Sequence, residues 1–428
     1  MKSPFLLIVG LIFGLIILGL ATLQNELLIL AIPLVTYLCA AILQRPEAVQ
    51  FTVTRQVTPE TAPQGTPITV KLALTNEGAA IDELAVEDVL PYGVRQLDGK
   101  STWVSFLPER GKVELEYVIE APRGEYDVYE VRVYARDFSG LFEEPLVFRT
   151  TPQLVIHPHY PKVDRIKIRP PQTRGFSGPI EARQGGTGIG FWGIREYQPH
   201  DPRRQINWRR TARSERELYT NLFEQERVAD VGLILDSRER TNIIGDRDSL
   251  FEHAVRATAA LAENFLDDGN RVSLLVYGSG IGRVYPGYGR LQRNRILHEL
   301  ARATPGMNYA LENLTHLPTR LFPAKSQLVL ISPLIPQDIP TIARMRAYGY
   351  AVLVVSPDPI AYEAALYSDF SSPAYRIASA ERSFMLRQVR QSGAQIVNWQ
   401  VTAPLEAVIR ETLARQPLTM HNYRMRMG

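Results

Sequence analysis

Arginines and tryptophans are concentrated in residues 190–213 of this 428-residue chain, together with the prolines and glycines of turns. Arginine side chains can bind phosphate, and an exposed tryptophan offers a ring on which a nucleic-acid base can stack. Acidic side chains are interleaved with the arginines and can form ion pairs with them. We select nine residues as an interaction or structural signature: Gly193, Arg195, Tyr197, Asp201, Arg203, Arg204, Trp208, Arg209 and Arg213.

Three interpretations of this signature follow. Pro199 and Pro202 fix turns, and Tyr197, Ile206 and Trp208 can anchor the segment on a neighbouring domain, which favours a structural brace between two modules. The first alternative is a docking surface for a protein partner, and the second is a site for nucleic acid or anionic lipid. The formal net charge is only +3, so we expect no nucleic-acid partner.

The sequence contains no arrangement typical of catalysis or cofactor binding. Ser237 and Ser332 lack the Gly-x-Ser-x-Gly context of an activated nucleophile. The glycine-rich run at 185–190 does not lead from a strand into a helix as a dinucleotide motif does. His157 and His159 have no cysteine or paired carboxylate nearby to complete a metal site. We therefore expect a protein that is not an enzyme and needs no cofactor.

Two apolar stretches, residues 4–23 and 27–43, precede the rest of the chain. Each approaches the roughly 20 residues that a helix needs to cross a bilayer. A cleaved signal peptide is the alternative for the first stretch, but a clear small-x-small cleavage site is lacking and the second stretch follows at once. The sequence thus predicts a transmembrane helical hairpin over residues 1–45.

Charges beside the two spans predict their orientation. Lys2 lies on one side with Arg45 and Arg55, whereas the turn between the spans carries only Glu26. The positive-inside rule then places both ends of the hairpin, and everything after residue 45, in the cytoplasm. We expect a protein of the cell membrane (inner or plasma membrane) whose soluble domains are cytoplasmic.

Residues 48–155 have the pattern of an all-β module. Turn residues separate segments in which apolar and polar side chains alternate, as in strands with one buried face. These segments are residues 51–54, 68–75, 113–119 and 128–134. Short antiparallel strands at this spacing predict an immunoglobulin-like β-sandwich. The following residues, 156–227, comprise a linker rich in proline and glycine and the signature.

Residues 228–416 have a different pattern, and a tail of residues 417–428 follows them. Continuous apolar strands alternate with helices, which predicts a doubly wound α/β domain with a mostly parallel sheet. We expect the strands at 231–236, 271–277, 326–332 and 350–356, and the helices at 246–267, 289–302, 338–348, 379–392 and 403–415.

The chain resembles a family of bacterial membrane proteins known as the domain-of-unknown-function 58 family. The most specific match is residues 193–208 with the following Thr-Ala-Arg at 211–213, although His200 stands where the family usually has glycine. The motifs at 123–124 and 136–142 also match. The resemblance implies a von Willebrand factor A-like domain, and a MoxR-type AAA+ ATPase as the partner.

Domains of the von Willebrand A type often hold a divalent cation in an Asp-x-Ser-x-Ser loop after the first strand. Asp236 matches the acid, but Arg238 and Arg240 replace the serines, and Pro333 stands where a second acid is expected. The loop at 306–309 offers no clear threonine. Two guanidinium groups repel a cation, so we expect a degenerate site that binds no metal, with Asp236 paired to Arg238 or Arg240.

Together these features predict a membrane-anchored, non-enzymatic interaction or assembly protein. It would present a cytoplasmic von Willebrand A-like domain to a protein partner, a MoxR-type AAA+ ATPase. The alternatives are an A-domain protein that binds a ligand through a divalent metal, and a protein that binds anionic lipid or nucleic acid at its surface.

Overall fold

The chain divides into two compact units in the computed structural model, residues 1–157 and 158–428. His200, residues 137–142, Asn308, Tyr309 and the tail lie outside the described residues. The described residues are 3–23, 25–43, 50–127, 129–136, 143–151, 153–163, 166, 180–199, 201–214, 217–245, 248–278, 280, 282–307 and 320–415.

Two long apolar helices begin the first unit, α1 (Ser3–Thr22) and α2 (Asn25–Leu43). By length and composition both could cross a membrane, and most of their side chains are exposed, as expected of a surface that faces lipid. At Gly19 a β-carbon would lie 3.0 Å from the Leu28 side chain, so glycine permits this close approach of the helices. The two expected spans are confirmed as helices, with α2 beginning two residues earlier than predicted.

The rest of the first unit is a sandwich of two four-stranded antiparallel sheets, with strand orders β1-β3-β7-β5 and β10-β9-β4-β6. A small third sheet has the order β2-β11-β8. The strands are β1 (Phe51–Thr58), β2 (Thr61–Pro63), β3 (Ile68–Asn76), β4 (Ile81–Val89), β5 (Arg95–Gly99), β6 (Thr102–Leu107), β7 (Lys112–Glu120), β8 (Gly124–Tyr126), β9 (Tyr129–Arg136), β10 (Glu143–Thr150) and β11 (Leu154–His157).

Alternating side chains of the strands form the core between the two large sheets. Leu72 and Leu74 of β3 pack with Leu84 and Val86 of β4 and with Val133 of β9. The four strands expected from the alternation are observed as β1, β3, β7 and β9, because their period-two pattern follows directly from this one-sided burial. A sandwich was therefore predictable from the apolar pattern.

A charged pair is buried in this unit: Arg55 of β1 forms an ion pair with Asp88 of β4. The hydroxyl of Tyr117 also donates to Asp88, and the Arg55 guanidinium lies 4.2 Å from the centre of the Tyr129 ring. Burial raises the pKa of Asp88 despite the attraction of Arg55 and the hydrogen bond from Tyr117. Ionised Asp88 therefore depends on its partners for compensation.

In the second unit a long irregular hairpin precedes the α/β sheet. Strand β12 (Ile180–Glu196) pairs antiparallel with β13 (Tyr219–Arg227), and helix α3 (Trp208–Thr211) lies between them in the chain. The glycine-rich residues 185–188, which we predicted to belong to a connection, lie within β12. Register shifts occur around these glycines, because residues without a side chain tolerate bulges in a ladder without ending it.

The remaining elements form a six-stranded α/β sheet, with the strand order β16-β15-β14-β17-β18-β19. All of its strands are parallel except β16, which is antiparallel to β15. In chain order the elements are β14 (Asp230–Asp236), α4 (Leu250–Asp267), β15 (Arg271–Tyr277), β16 (Gly282–Gly287), α5 (Gly289–Arg302), β17 (Gln327–Ile331), α6 (Ile339–Ala347), β18 (Ala351–Pro357), α7 (Pro359–Tyr367), α8 (Pro373–Gln391), β19 (Gln395–Trp399) and α9 (Leu405–Arg415).

Apolar cores lie on both faces of this sheet. Leu233 and Leu235 of β14 point into the core that α4, α5 and α9 cover, whereas Ile234 points into the core that α6 and α8 cover. Ile166, which lies in the predicted linker, is buried in the first of these cores, and its N–H donates to Asn264 Oδ1 at 3.3 Å. The mostly parallel sheet expected from the sequence is confirmed, and part of the predicted linker belongs to its core.

We predict that Asp88→Asn lowers the free energy of opening of the sandwich by about 3–5 kcal/mol, because it leaves the buried Arg55 charge without its partner. Hydrogen exchange of the β3 and β4 amides in the detergent-solubilised protein measures this. Glu116→Gln is the control, since Glu116 pairs with Lys71 at the surface and should change stability by less than about 1 kcal/mol. Equal effects of the two substitutions would contradict the prediction.

Candidate functional site

The carboxyl ends of the parallel strands lie at one edge of the α/β sheet, and the order of the strands reverses there between β14 and β17. If the six strands β14 to β19 are numbered 1 to 6 along the chain, their order across the sheet is 3-2-1-4-5-6. Open α/β sheets bind ligands in the crevice outside the carboxyl ends of the strands at such a reversal. Asp236 ends β14 and Ser332 directly follows β17, so both lie at this position.

A buried arginine, Arg238, lies in this crevice between two carboxylates. Its Nε and Nη2 donate to the two carboxylate oxygens of Asp236 at 2.9 and 2.7 Å. Its Nη1 and Nη2 donate to the two oxygens of Asp338 at 3.0 and 2.8 Å. Paired hydrogen bonds of this kind are the strongest that arginine forms with carboxylates. Because the Arg238 side chain is only 3% exposed, water and salt screen them little.

Both carboxylates also bind groups of the loop that follows β17. The Ser332 hydroxyl donates to Asp236 Oδ2 at 2.7 Å, and the Ile335 N–H donates to Asp338 Oδ2 at 3.0 Å. The Leu334 N–H in turn donates to the Ser332 hydroxyl at 3.0 Å. These bonds connect the loop after β14 with the loop after β17.

The loop after β15 lies against the same arginine. The Tyr277 ring centre is 5.3 Å from the Arg238 guanidinium carbon, and the Ser237 N–H donates to the Tyr277 carbonyl at 2.8 Å. Gly278 has a φ of +127°, and a β-carbon there would lie 2.4 Å from the Arg238 nitrogen. Only glycine combines this backbone conformation with so close an approach.

The positive charge of the Arg238 guanidinium is permanent. Burial by itself would lower the pKa of Arg238, but hydrogen bonds to Asp236 and Asp338 raise it above its ordinary value. Burial raises the pKa of Tyr277, and the negative charge of Asp236 raises it further, so the phenol stays neutral. Physiological changes of pH therefore leave the protonation of Arg238 and Tyr277 unchanged.

The structure decides between the two arginines proposed as partners of Asp236. Arg238 forms the pair, whereas Arg240 is exposed. The second acid is Asp338, which the sequence reasoning did not identify, because it lies five residues beyond the expected position at Pro333. Among the described residues, His, Cys, Asp and Glu side chains form no cluster of three or more that could hold a metal ion.

Pro333 has a structural role through a second buried arginine, Arg382 of α8. Its Nη1 donates to the Pro333 carbonyl at 2.9 Å, and its Nη2 donates to the Ser356 hydroxyl at 2.9 Å. It also forms an ion pair with Asp358 at 3.2 Å, and Asn398 donates to Asp358 at 3.0 Å. Burial lowers the pKa of Arg382, although the Asp358 charge opposes the shift. The loop after β17 thus has buried arginines on both sides.

The signature forms a turn that its own residues hold together. Arg195 Nη2 donates to Asp201 Oδ1 at 2.7 Å, and the Gln198 N–H donates to Asp201 Oδ2 at 2.9 Å. The Tyr197 hydroxyl donates to the Asp201 carbonyl at 3.2 Å. The side chain of Asn207 begins α3 by accepting from the Arg210 N–H at 2.9 Å. Of the predicted signature residues, the structure brings together Arg195, Tyr197 and Asp201.

The other long side chains of the signature are exposed. Trp208 is 67% exposed, so the expectation that it anchors the segment on a neighbouring domain is wrong. Thr220 alone is buried among the described side chains of residues 193–222. Four exposed arginines form no ion pair with a described carboxylate, and they are Arg203, Arg204, Arg209 and Arg213.

Gly193 of the signature lies in β12, where a β-carbon would meet no other atom within 4 Å. Its role there is not one of close packing. Asn207, which we did not select, contributes more to the local structure, since its Nδ2 also donates to Asn221 Oδ1 at 2.7 Å. An asparagine directly before a short helical segment is a typical capping signal and could have identified it.

Sequence comparison relates part of this chain to a known family. Residues 193–362 match the family described as protein of unknown function DUF58. This range includes the signature and extends from β12 into α7. The resemblance predicted from the signature is confirmed over these residues. No curated protein is significantly similar to the chain.

The solved structures that match this chain include three that are each similar to a small part of it. The CARDB domain of a Pyrococcus furiosus protein, solved with di-metal ions, has a TM-score of 0.17 and 13% identity. A FixG-related protein from Vibrio parahaemolyticus has values of 0.16 and 15%, and a C. elegans member of the MSP family has 0.15 and 14%. Each match covers 24% of this chain and 89%, 96% and 96% of the respective structure.

We predict that Arg195→Gln raises the pKa of Asp201 toward the ordinary value of about 3.9. Hydrogen bonds from Arg195 and from the Gln198 N–H lower this pKa. The ionised Asp201 carboxylate therefore keeps its contacts at any pH above its ordinary pKa. It loses them as the pH falls through its lowered pKa. Carbon NMR of protein labelled at aspartate, with Asp201→Asn to assign the resonance, measures the titration.

Arg204→Gln is the control, because Arg204 is an exposed arginine of the same segment and does not contact Asp201. It should leave the titration of Asp201 unchanged. An Asp201 pKa that is the same in the wild type and in Arg195→Gln would show that the Arg195 contact does not form in solution.

Proposed function

We propose that this chain is a membrane-anchored interaction protein without enzymatic activity, and that it presents a von Willebrand A-like unit in the cytoplasm to a protein partner, a MoxR-type AAA+ ATPase. The observation that carries this proposal is the exposed signature: Trp208 and four arginines that form no ion pair with a described carboxylate lie at the surface next to the hydrogen-bonded turn around Asp201. The resemblance of the sequence to the family supplies the identity of the partner.

The sheet supports the assignment of an A-like fold. Its strand order of 3-2-1-4-5-6, with the third strand antiparallel, places an aspartate at the end of the first strand and at the reversal of strand order. This is where the resemblance to A-type domains places the first acid of their loop. In this chain the crevice is filled by Arg238, so we assign the binding role to the signature surface.

The composition of the signature surface favours a protein partner over an extended nucleic acid. Tryptophan and arginine are the residue types that most often dominate the energy of protein interfaces. The exposed arginines have no carboxylate partners within the described chain, which suits an acidic surface on the partner. The small net charge of the chain gives no general attraction to nucleic acid.

The two apolar helices support membrane anchoring, and their flanking charges support the orientation. Lys2 precedes the first helix and Arg45 follows the second, whereas the end at which the two helices meet carries only Glu26, in the first turn of α2. Positively charged flanks are retained on the cytoplasmic side, so we propose that the β-sandwich and the second unit are cytoplasmic. A cytoplasmic ATPase could then reach the signature surface.

We predict that Trp208→Ala weakens binding to a purified MoxR-type ATPase by about thirtyfold, since truncation of a central tryptophan typically costs about 2 kcal/mol or more. Binding is measured with the full-length chain in nanodiscs, so that the anchor is retained. Arg209→Ala and Arg213→Ala should each weaken binding, and their effects should become smaller at high salt.

The control is Phe384→Ala, because Phe384 is an exposed aromatic residue of the same unit on α8, outside the signature. It should leave binding unchanged. If the ATPase does not bind the wild type, the proposed partner is wrong. If it binds the wild type and Trp208→Ala equally, the signature is not the docking surface.

A further inference from the structure

We propose that Arg238 is a covalently attached substitute for a divalent cation, and that shortening its side chain converts the crevice between β14 and β17 into a cation-binding site. This inference rests on the geometry of the crevice and is independent of the proposed partner. It concerns one guanidinium, the carboxylates of Asp236 and Asp338, and the hydroxyl of Ser332.

The oxygen atoms around the guanidinium are those that a hard cation prefers. Four carboxylate oxygens, two each from Asp236 and Asp338, accept hydrogen bonds from Arg238 at 2.7–3.0 Å. The Ser332 hydroxyl lies 2.7 Å from one of these oxygens. Carboxylates and a hydroxyl are typical ligands of Mg²⁺ and Ca²⁺. The oxygens belong to the last residue of β14 and to the segment after β17, and they surround the space that the guanidinium fills.

Groups other than Arg238's side chain also hold the two carboxylates in place. The backbone N–H of Arg238 donates to Asp236 Oδ1 at 3.0 Å, and Ser332 donates to Oδ2. The Ile335 N–H donates to Asp338 Oδ2 at 3.0 Å, and the Asp338 N–H donates to the Ile335 carbonyl at 2.9 Å. These bonds keep the carboxylates oriented toward the crevice after the guanidinium is removed.

Two buried carboxylates that face each other require a positive charge between them. A divalent cation and a guanidinium both satisfy this requirement, but they cannot do so together. A cation at the centre of these oxygens would lie within a few ångströms of a permanently charged group that cannot deprotonate, and the repulsion would exclude it. The residues present therefore do not fit a metal ion while Arg238 is in place.

The replacement has a chemical consequence for the native protein. A bound divalent cation dissociates when its free concentration falls, and a chelator removes it, whereas a side chain remains at its position. The bonds of Asp236 and Asp338 in this chain are therefore independent of the concentrations of Mg²⁺ and Ca²⁺.

The experiment compares three full-length proteins purified in detergent: wild type, Arg238→Ser, and Arg238→Ser combined with Asp338→Asn. Mn²⁺, Mg²⁺ and Ca²⁺ are titrated by calorimetry, and the midpoint of thermal unfolding is measured with and without each cation. We expect no binding to the wild type and no shift of its unfolding midpoint. Arg238→Ser should bind one cation per chain and unfold at a higher temperature in its presence.

The double variant separates the crevice from adventitious acidic sites. Loss of one carboxylate ligand should weaken binding by about tenfold or more, since even outer contacts of a metal site have effects of this size. Binding of the cation to the wild type, no binding to Arg238→Ser, or equal binding to the single and double variants would each overturn the proposal.

Arg238→Ser leaves two buried carboxylates without a counter-charge, so its refolding is tested as well. The variant is then refolded from denaturant with and without Mg²⁺ or Ca²⁺. Recovery of the folded protein only with the cation supports the proposal. If Arg238→Ser folds under neither condition although Arg238→Lys refolds under both, the proposal is overturned.

Discussion

The carboxyl edge of the α/β sheet depends on the pairing of one buried guanidinium with two buried carboxylates. Asp236 ends β14 and Asp338 lies in the loop after β17, and Arg238 donates two hydrogen bonds to each of them. Removing ionised carboxylates from water is costly unless an opposite charge and hydrogen bonds compensate. The ends of β14 and β17 are therefore joined by electrostatics at the position where open α/β sheets usually bind their ligands.

Arginines have opposite roles in the two parts of the second unit. Arg238 and Arg382 are buried, and both bind the segment that runs from Ser332 to Asp338. Arg238 donates to the Asp338 carboxylate, and Arg382 donates to the Pro333 carbonyl. Four arginines of the signature are exposed instead and form no ion pair with a described carboxylate: Arg203, Arg204, Arg209 and Arg213. The buried pairs join loops at the carboxyl edge of the sheet, whereas the exposed arginines leave their charge available to the proposed partner. This division is the physical basis for assigning interaction to the signature.

The sequence predicted the elements whose pattern is local and missed the contacts that depend on the fold. Period-two strands and apolar parallel strands were recognised, and Asp236 was expected to pair with one of two nearby arginines, Arg238 or Arg240, between which the structure decides. Asp338 was missed because its contact with Arg238 joins residues 100 positions apart. The start of α8 was placed too late, although Ser372 before Pro373 is a recognisable capping signal. The anchoring of Trp208 on a neighbouring domain was wrongly expected, since an apolar side chain alone does not show whether a core lies next to it.

Hydrogen exchange at the Leu334 and Ile335 amides tests the central claim most directly. The Ile335 amide donates to Asp338, which binds Arg238, and the Leu334 amide donates to Ser332, whose hydroxyl donates to Asp236. Arg238→Lys keeps the positive charge but cannot form paired hydrogen bonds with two carboxylates at once. Exchange at these amides should become about tenfold faster in Arg238→Lys, and it should not change in the exposed control Arg240→Lys. Equal exchange in Arg238→Lys and the wild type would contradict the account.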